Sequence, residues 1–261
     1  MKVSFLPLLQ VQRDLYALPR GRERFREYIK TMTDAETGDL ALPLVAMNPM
    51  GKEHVPALID QYLALGAEQI AEEAINDWRA TASAVAAAGA KAPALQTKAY
   101  KLCVVVSDDL KGGWTNRWAS EFSHRIEGAA ISKRRWLTAL LWTSEPVSAT
   151  RVREEVLTAI YREDYLQTHP PATTLREMLA QEGYATARAG CTTPSLDADD
   201  LRYTRTILAP HLDAHDRGTV IACLFGDSAA KALGYTPQGL SDRAGLALAL
   251  AEAHGTVAPS P

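Results

Sequence analysis

The sequence is poor in cysteine, with only Cys103, Cys191 and Cys223 among its 261 residues and no C-x-x-C spacing. A small, odd number of cysteines argues against a fold held together by disulfide bonds. Cys103 and Cys223 lie inside apolar runs, where a free thiol packs as a small hydrophobic group. The fold therefore has to depend on a hydrophobic core.

Long apolar segments are also missing, because no stretch reaches the ~18 uncharged apolar residues that a membrane span needs. The apolar stretch near the N-terminus is interrupted by Pro7, and no small-residue cleavage site follows it. We therefore expect a cytoplasmic protein with no membrane partner.

The sequence has no strong excess of charge, since 28 Lys and Arg residues face 31 Asp and Glu residues and the net charge is -3. Such a balance gives no general attraction to a phosphate backbone, so we expect no nucleic-acid partner. The basic run at residues 20–26 alternates with acidic and apolar residues, which is typical of a solvated helix face.

What the sequence does contain is a hydrophobic fraction of 47%, enough for one large α/β domain or two small ones. Four short apolar runs predict strands, at residues 42–47, 102–106, 136–142 and 219–225. Each run is continuous rather than alternating, as expected of a parallel strand that is covered on both faces.

Segments with helical spacing separate these runs, which indicates repeated βα units. Helices are predicted at residues 52–65, 67–88, 149–167, 173–182 and 197–211. The predicted fold is α/β, with a mostly parallel sheet of four or more strands, helices on both faces and a three-layer, Rossmann-like arrangement. The predicted organisation begins with a helical N-terminal extension at 1–38, which is followed by a single α/β domain at 39–256 and a tail at 257–261. The domain is predicted to contain a helical insertion at about 146–215, between the third and fourth strands.

Polar side chains follow every predicted strand, and in a parallel sheet these positions share one edge. They include Asn48, the pair Asp108 and Asp109, Glu145, and Asp227 with Ser228. Converging carboxylates need a cation, shared protons or basic partners. Oxygen ligands suit Mg²⁺ or Mn²⁺, so we predict a metal held by Asp108, Asp109 and Asp227.

Within this predicted site, Asp108, Asp109 and Glu145 are catalytic candidates, with Asp108 or Asp109 holding the metal or serving as a base. His54 is the candidate for general acid-base work near Asn48. A plainer interpretation remains open, because Asp, Asn and Ser also follow strands when they form turns and cap helices.

The segment 102–117, L-C-V-V-V-S-D-D-L-K-G-G-W-T-N-R, adds a predicted anion site after the second strand. A glycine pair before a helix exposes backbone N–H groups, and flanking cations favour a bound phosphate or carboxylate. The P-loop and dinucleotide-binding spacings are both absent. The candidate ligand-binding residues are Asn48, Lys111, Gly112, Gly113, Thr115, Asn116, Arg117, Asp227 and Ser228.

A serine motif offers a different activity. Gly226, Ser228 and Ala230 match G-x-S-x-G if Ala replaces the last Gly, in a predicted strand-turn-helix. The F-G-D-S stretch at 225–228 resembles the start of the GDSL or SGNH esterase family, which implies a nucleophilic Ser228. In that family the motif opens the chain and a D-x-x-H pair comes later, whereas here only Asp242 and His254 follow, without that spacing.

Taken together, the sequence predicts a protein that binds a small anionic molecule, with a metal-assisted hydrolase or transferase as the favoured enzyme class. A serine hydrolase using Ser228 and a non-catalytic binding or structural protein are the alternatives. General frequencies favour a homodimer as the oligomeric state.

Overall fold

The structure is a computed structural model that describes residues 1–44, 46–87, 98–110, 115–127 and 134–255. It divides into two compact units, which we describe separately. Unit 1 comprises Met1–Arg117 and Ala129–Ala159, and unit 2 comprises Trp118–Gly128 and Ile160–Pro261.

The described residues form three strands and eleven α-helices. In chain order they are β1 (Lys2–Phe5), α1 (Leu9–Ala17), α2 (Arg22–Met32), α3 (His54–Ala64), α4 (Ala67–Ala87), β2 (Ala99–Ser107), α5 (Arg117–Arg125), β3 (Trp136–Trp142), α6 (Ala149–Leu166), α7 (Leu175–Arg188), α8 (Ala198–Leu208), α9 (Arg217–Phe225), α10 (Asp227–Ala232) and α11 (Ala244–Ala253), with a 3-10 turn at Ala209–His211 after α8. None of the described helices combines the length and the apolar character that crossing a lipid bilayer requires.

Unit 1 contains a parallel sheet in the order β1-β2-β3. All seven residues of β3 and the last six of β2 are buried, as continuous apolar runs in a parallel sheet should be. The predicted strands at 102–106 and 136–142 are therefore confirmed, together with an α/β composition. The register pairs Ser107 with Trp142, so both strands end at the same level.

The predicted sheet of four or more strands is wrong for the part of the chain described, which has three strands, and a Rossmann-like layering is not supported. The predicted strand at 219–225 is helix α9, which begins behind Asp216, whose side chain accepts a hydrogen bond from the Thr219 N–H. Its residues Val220 to Phe225 are all buried, and a helix buried all round shows no polar face that would distinguish it from a buried strand.

The first strand of the sheet also differs from the prediction. No strand is assigned at the described positions of 42–47, although Leu44 and Met47 are fully buried. The strand is β1 instead, at the start of the segment 1–38 that was predicted as a helical extension, where α1 and α2 do occur. Four residues with one buried side chain carry too little periodicity to predict a strand.

Most predicted helices are confirmed, including α3, α4, α6 and α8 close to their predicted limits, while α7 extends beyond the predicted 182 to Arg188. The segment predicted as an insertion between the third and fourth strands supplies much of helical unit 2, because the fourth strand is absent from the described residues. The predicted tail at 257–261 lies outside the described residues.

Unit 2 packs its helices around buried leucines and holds several buried carboxylates, of which Glu182 is the least exposed among the described residues. Burial raises the pKa of Glu182, but the guanidinium groups of Arg162 and Arg125 outweigh it and bring the pKa to about 2. Arg162 donates to Glu182 at 2.7 and 3.0 Å, and Arg125 donates at 2.8 Å. The buried negative charge of Glu182 is thus compensated by two guanidinium groups, as a charge removed from water requires.

A side-chain amide completes the sheet of unit 1 beyond the end of β1. The Gln12 Nε2 donates to the Val106 carbonyl at 2.5 Å, and the Val106 N–H donates to Gln12 Oε1 at 3.0 Å. Gln12 is fully buried. It therefore gives the β2 backbone the two hydrogen bonds that a longer β1 would have supplied.

We predict that Gln12→Leu lowers the free energy of unfolding by about 2 to 4 kcal/mol, because both Val106 backbone groups lose their partner while staying buried. Urea denaturation measures the change. Gln10→Leu, on the exposed side of the same helix, is the matched control and should change stability by less than about 0.5 kcal/mol. Equal effects of the two substitutions would contradict this role of Gln12.

Candidate functional site

The centre of the candidate site is Asp108, the first residue after β2, whose side chain is 1% exposed. Its carboxylate accepts hydrogen bonds from Asn48 Nδ2 at 2.9 Å and from His54 Nε2 at 2.8 Å. The Thr143 hydroxyl donates at 3.0 Å and the Leu110 N–H at 3.2 Å. Four donors from four places in the chain thus meet on one buried carboxylate.

These donors decide the protonation state of Asp108. Burial alone would raise its pKa, but the hydrogen bonds from His54, Asn48 and Thr143 outweigh burial, so the pKa lies below its ordinary value. A carboxylate that accepts several hydrogen bonds is stabilised in its charged form. Asp108 is therefore ionised at neutral pH.

His54 is the first residue of α3, and its side chain is 22% exposed. Since an ionised carboxylate only accepts hydrogen bonds, the Nε2 of His54 carries the proton and, in the neutral ring, Nδ1 keeps the lone pair. Among the residues that the structure describes, Nδ1 has no hydrogen-bond partner. This nitrogen of a partly exposed imidazole can accept a hydrogen bond from a ligand.

Asn48 is held in place from two sides. Its Oδ1 accepts the Met50 N–H at 3.0 Å, and its backbone carbonyl accepts a hydrogen bond from the buried Tyr16 hydroxyl of α1. The predicted residues Asn48, His54 and Asp108 are thus brought together at the carboxyl end of β2, by a loop, a helix and a strand.

A second polar network begins at Asp109. Its carboxylate accepts the Ser144 N–H at 2.9 Å, the Ser144 hydroxyl at 2.6 Å and Arg117 Nη1 at 3.2 Å. Arg117 also donates to Glu145, and Glu145 is further bound by Arg151 of α6 at 3.0 Å. The predicted residues Asp109, Arg117 and Glu145 are therefore neighbours, and arginines compensate the carboxylates.

Thr143 links the two networks and is a residue that the sequence analysis missed. Its hydroxyl lies 3.0 Å from Asp108 Oδ1 and 3.0 Å from Asp109 Oδ1. It has one proton, so it donates to one carboxylate at a time. Because Ser107 pairs with Trp142, the register of the two strands would have placed Thr143 level with Asp108. Arg151 is the other residue that was missed. It lies on a later helix, and no strand register relates its position in the sequence to Glu145.

The predicted anion site is only partly described. Lys111, Gly112 and Gly113 lie outside the described residues, and Asn116 is exposed. The Thr115 hydroxyl is buried and has no hydrogen-bond partner in the described part of the chain. Arg117 contacts two protein carboxylates, so a bound anion would have to compete with them.

The predicted metal ligands are divided between the units, since Asp108 and Asp109 belong to unit 1 and Asp227 belongs to unit 2. Asp227 Oδ1 accepts the N–H groups of Gln238, Gly239 and Leu240 at 2.9 to 3.1 Å, which fixes a turn. Within the described ranges, no group of three or more His, Cys, Asp or Glu side chains could hold a metal ion.

Ser228 lies in the first turn of α10, behind Gly226 with φ 86°. A Cβ on Gly226 would come within 2.1 Å of the Ser241 carbonyl oxygen, so only glycine fits this turn. The preceding element is helix α9 rather than a strand, so the serine lacks the strand-turn-helix context of the hydrolase motif. His254, the candidate histidine for that motif, contacts the Cys191 carbonyl through Nε2 at 3.2 Å.

Comparison of this chain with protein-family models, with curated proteins and with solved structures finds no match. A function therefore has to be inferred from the geometry of the polar residues at the end of β2 and β3.

We predict that Asp108→Asn lowers the free energy of unfolding at neutral pH by about 2 to 4 kcal/mol, because a buried hydrogen-bonded charge is lost. The folded-state pKa of Asp108 lies below its ordinary value, which is about 3.9 in an unfolded chain. The stabilisation is therefore complete above about pH 4 and disappears as the pH falls through the folded-state pKa.

The measurement for this prediction is urea denaturation of wild type and variant at a series of pH values. The difference in the free energy of unfolding between wild type and variant should decrease below about pH 4. Asp60→Asn, which removes an exposed ion pair with Arg13, is the control and should cost less than about 1 kcal/mol. If the difference in the free energy of unfolding stayed constant down to acid pH, the Asp108 carboxylate would not be stabilised in its ionised form.

Proposed function

We propose that this chain is an enzyme that uses His54, held by Asp108, as a general acid-base group on a small polar substrate bound at the carboxyl end of β2 and β3. The reaction class that fits best is hydrolysis or group transfer. The observation that carries the proposal is the 2.8 Å contact between His54 Nε2 and the buried Asp108 carboxylate.

The reaction follows from how the two residues share protons. With Nε2–H donating to Asp108, the Nδ1 of His54 accepts a proton from water or from a substrate hydroxyl as that oxygen attacks. The imidazolium that forms then carries its new charge beside an ionised carboxylate, which stabilises it. In the second half of the reaction Nδ1 returns the proton to the leaving group.

The surroundings support this role for His54. Asp108 is fixed by Asn48 and Thr143 in addition to His54, so the imidazole is oriented by a group that is itself immobile. Because these other donors are neutral and no guanidinium of the described residues contacts the carboxylate, its attraction to the imidazolium is not reduced by a second cation. We further propose that Arg117 positions an anionic group of the substrate, which competes with Asp109 and Glu145 for the guanidinium.

The test is turnover of a panel of p-nitrophenyl esters and phosphomonoesters by wild type and by His54→Gln. Loss of a general acid-base group is expected to lower kcat/KM by about 100-fold or more and to remove the limb of the pH-rate profile that depends on a neutral imidazole. Circular dichroism and the Tm check that the variant is folded.

The matched control is His215→Gln, which changes an exposed histidine in unit 2 and should leave kcat/KM unchanged. If the His54→Gln variant loses stability but keeps wild-type turnover and pH dependence, the contact between His54 and Asp108 only stabilises the packing of α3 against the end of β2.

A further inference from the structure

Two large hydrophobic side chains are exposed on one helix of unit 1. Phe25 is 39% exposed and Ile29 is 40% exposed, and both lie on α2. Residues four apart on a helix lie on the same face, so the two side chains form one apolar row. This is the surface that the sequence predicts to be merely solvated.

A row of cations runs beside this apolar row. Arg22, Arg26 and Lys30 follow one another at intervals of four residues and are all exposed. Neither Arg22 nor Arg26 has an ion-pair partner among the described residues. Lys30 contacts Glu27 at 3.3 Å, and Glu27 lies on the side of the basic row that faces away from the apolar row. The apolar and basic rows are therefore direct neighbours.

The two rows border a shallow recess that is open to solvent. A cavity of about 690 Å³ is lined by Arg22, Phe25, Arg26, Ile29, Lys30 and Met50, and we call it the α2 groove. Arg20 donates to the Met50 carbonyl at 2.9 Å and so fixes its far wall. More than half of the Phe25 and Ile29 surfaces is covered, so these side chains form the floor of the groove.

The shape of the groove separates two kinds of anionic partner. A lipid surface takes up apolar side chains that project from a helix, whereas a recess with an apolar floor receives side chains from a partner. The positive charge is local, because the whole chain has a net charge of -3. A partner with carboxylates beside apolar side chains complements both rows at once.

We propose that the α2 groove binds an acidic peptide segment of another protein. Apolar side chains of that segment enter the groove over Phe25 and Ile29, and its carboxylates pair with Arg22, Arg26 and Lys30. This interaction is independent of the reaction proposed for His54.

The test is selection of phage-displayed random peptides on the full-length wild-type protein, followed by fluorescence anisotropy with the selected peptides. Enrichment of sequences that combine Asp or Glu with large apolar residues is expected. Arg22→Glu/Arg26→Glu should weaken their binding by about 10-fold or more, and Phe25→Ser/Ile29→Ser should weaken it similarly. Added salt should reduce the affinity for wild type.

The matched control is Arg202→Glu/Lys231→Glu, which reverses two exposed charges in unit 2 and should leave the affinity unchanged. Because Arg22 and Arg26 are exposed, their variant is expected to keep the wild-type Tm. The proposal is overturned if no acidic sequences are enriched, if the selected peptides bind Arg22→Glu/Arg26→Glu equally well, or if the protein sediments with phosphatidylserine vesicles through these residues but binds no peptide.

Discussion

The burial of an ionised carboxylate at the end of β2 is the constraint on which the site depends. Asp108 is removed from water, and such a group is tolerated only when hydrogen-bond donors replace the lost solvent. Because those donors come from a loop, from the start of α3 and from the residue after β3, satisfying one side chain fixes three segments around β2. Asp109, its neighbour in the chain, serves a different set of partners, and only the Thr143 hydroxyl is shared.

Two buried carboxylates, Glu182 and Asp108, are stabilised in different ways. In unit 2, Glu182 is paired with two guanidinium groups, so its charge is already neutralised by permanent cations. In unit 1, Asp108 is held by neutral amide and hydroxyl donors and by an imidazole. Only the second arrangement leaves the carboxylate able to respond when its histidine partner gains a proton. This contrast favours Asp108 rather than Glu182 as the centre of a reactive site.

Particular residues show what could and could not be read from the sequence. The runs at 102–106 and 136–142 are recognisable because a covered parallel strand is apolar on both faces, and the end of β2 locates Asp108 beside Asn48 and His54. The same criterion fails at 219–225, because a helix surrounded by other helices is equally apolar. Arg151 could not have been assigned to Glu145, since the direction of a side chain on a later helix depends on tertiary packing. Gln12 is likewise unremarkable in the sequence, although it completes the sheet.

The position of Gln12 also bears on how much strand backbone is left open to pairing with another chain. An unpaired stretch of strand backbone is a template on which a strand from another molecule can add, and such additions begin aggregation and domain swapping. Beyond the end of β1, the Gln12 amide occupies the N–H and the carbonyl of Val106, and Arg79 of α4 similarly covers the carbonyl of Val3 on β1. Two side chains from neighbouring helices thus form hydrogen bonds with strand backbone groups that the short edge strand β1 leaves unpaired.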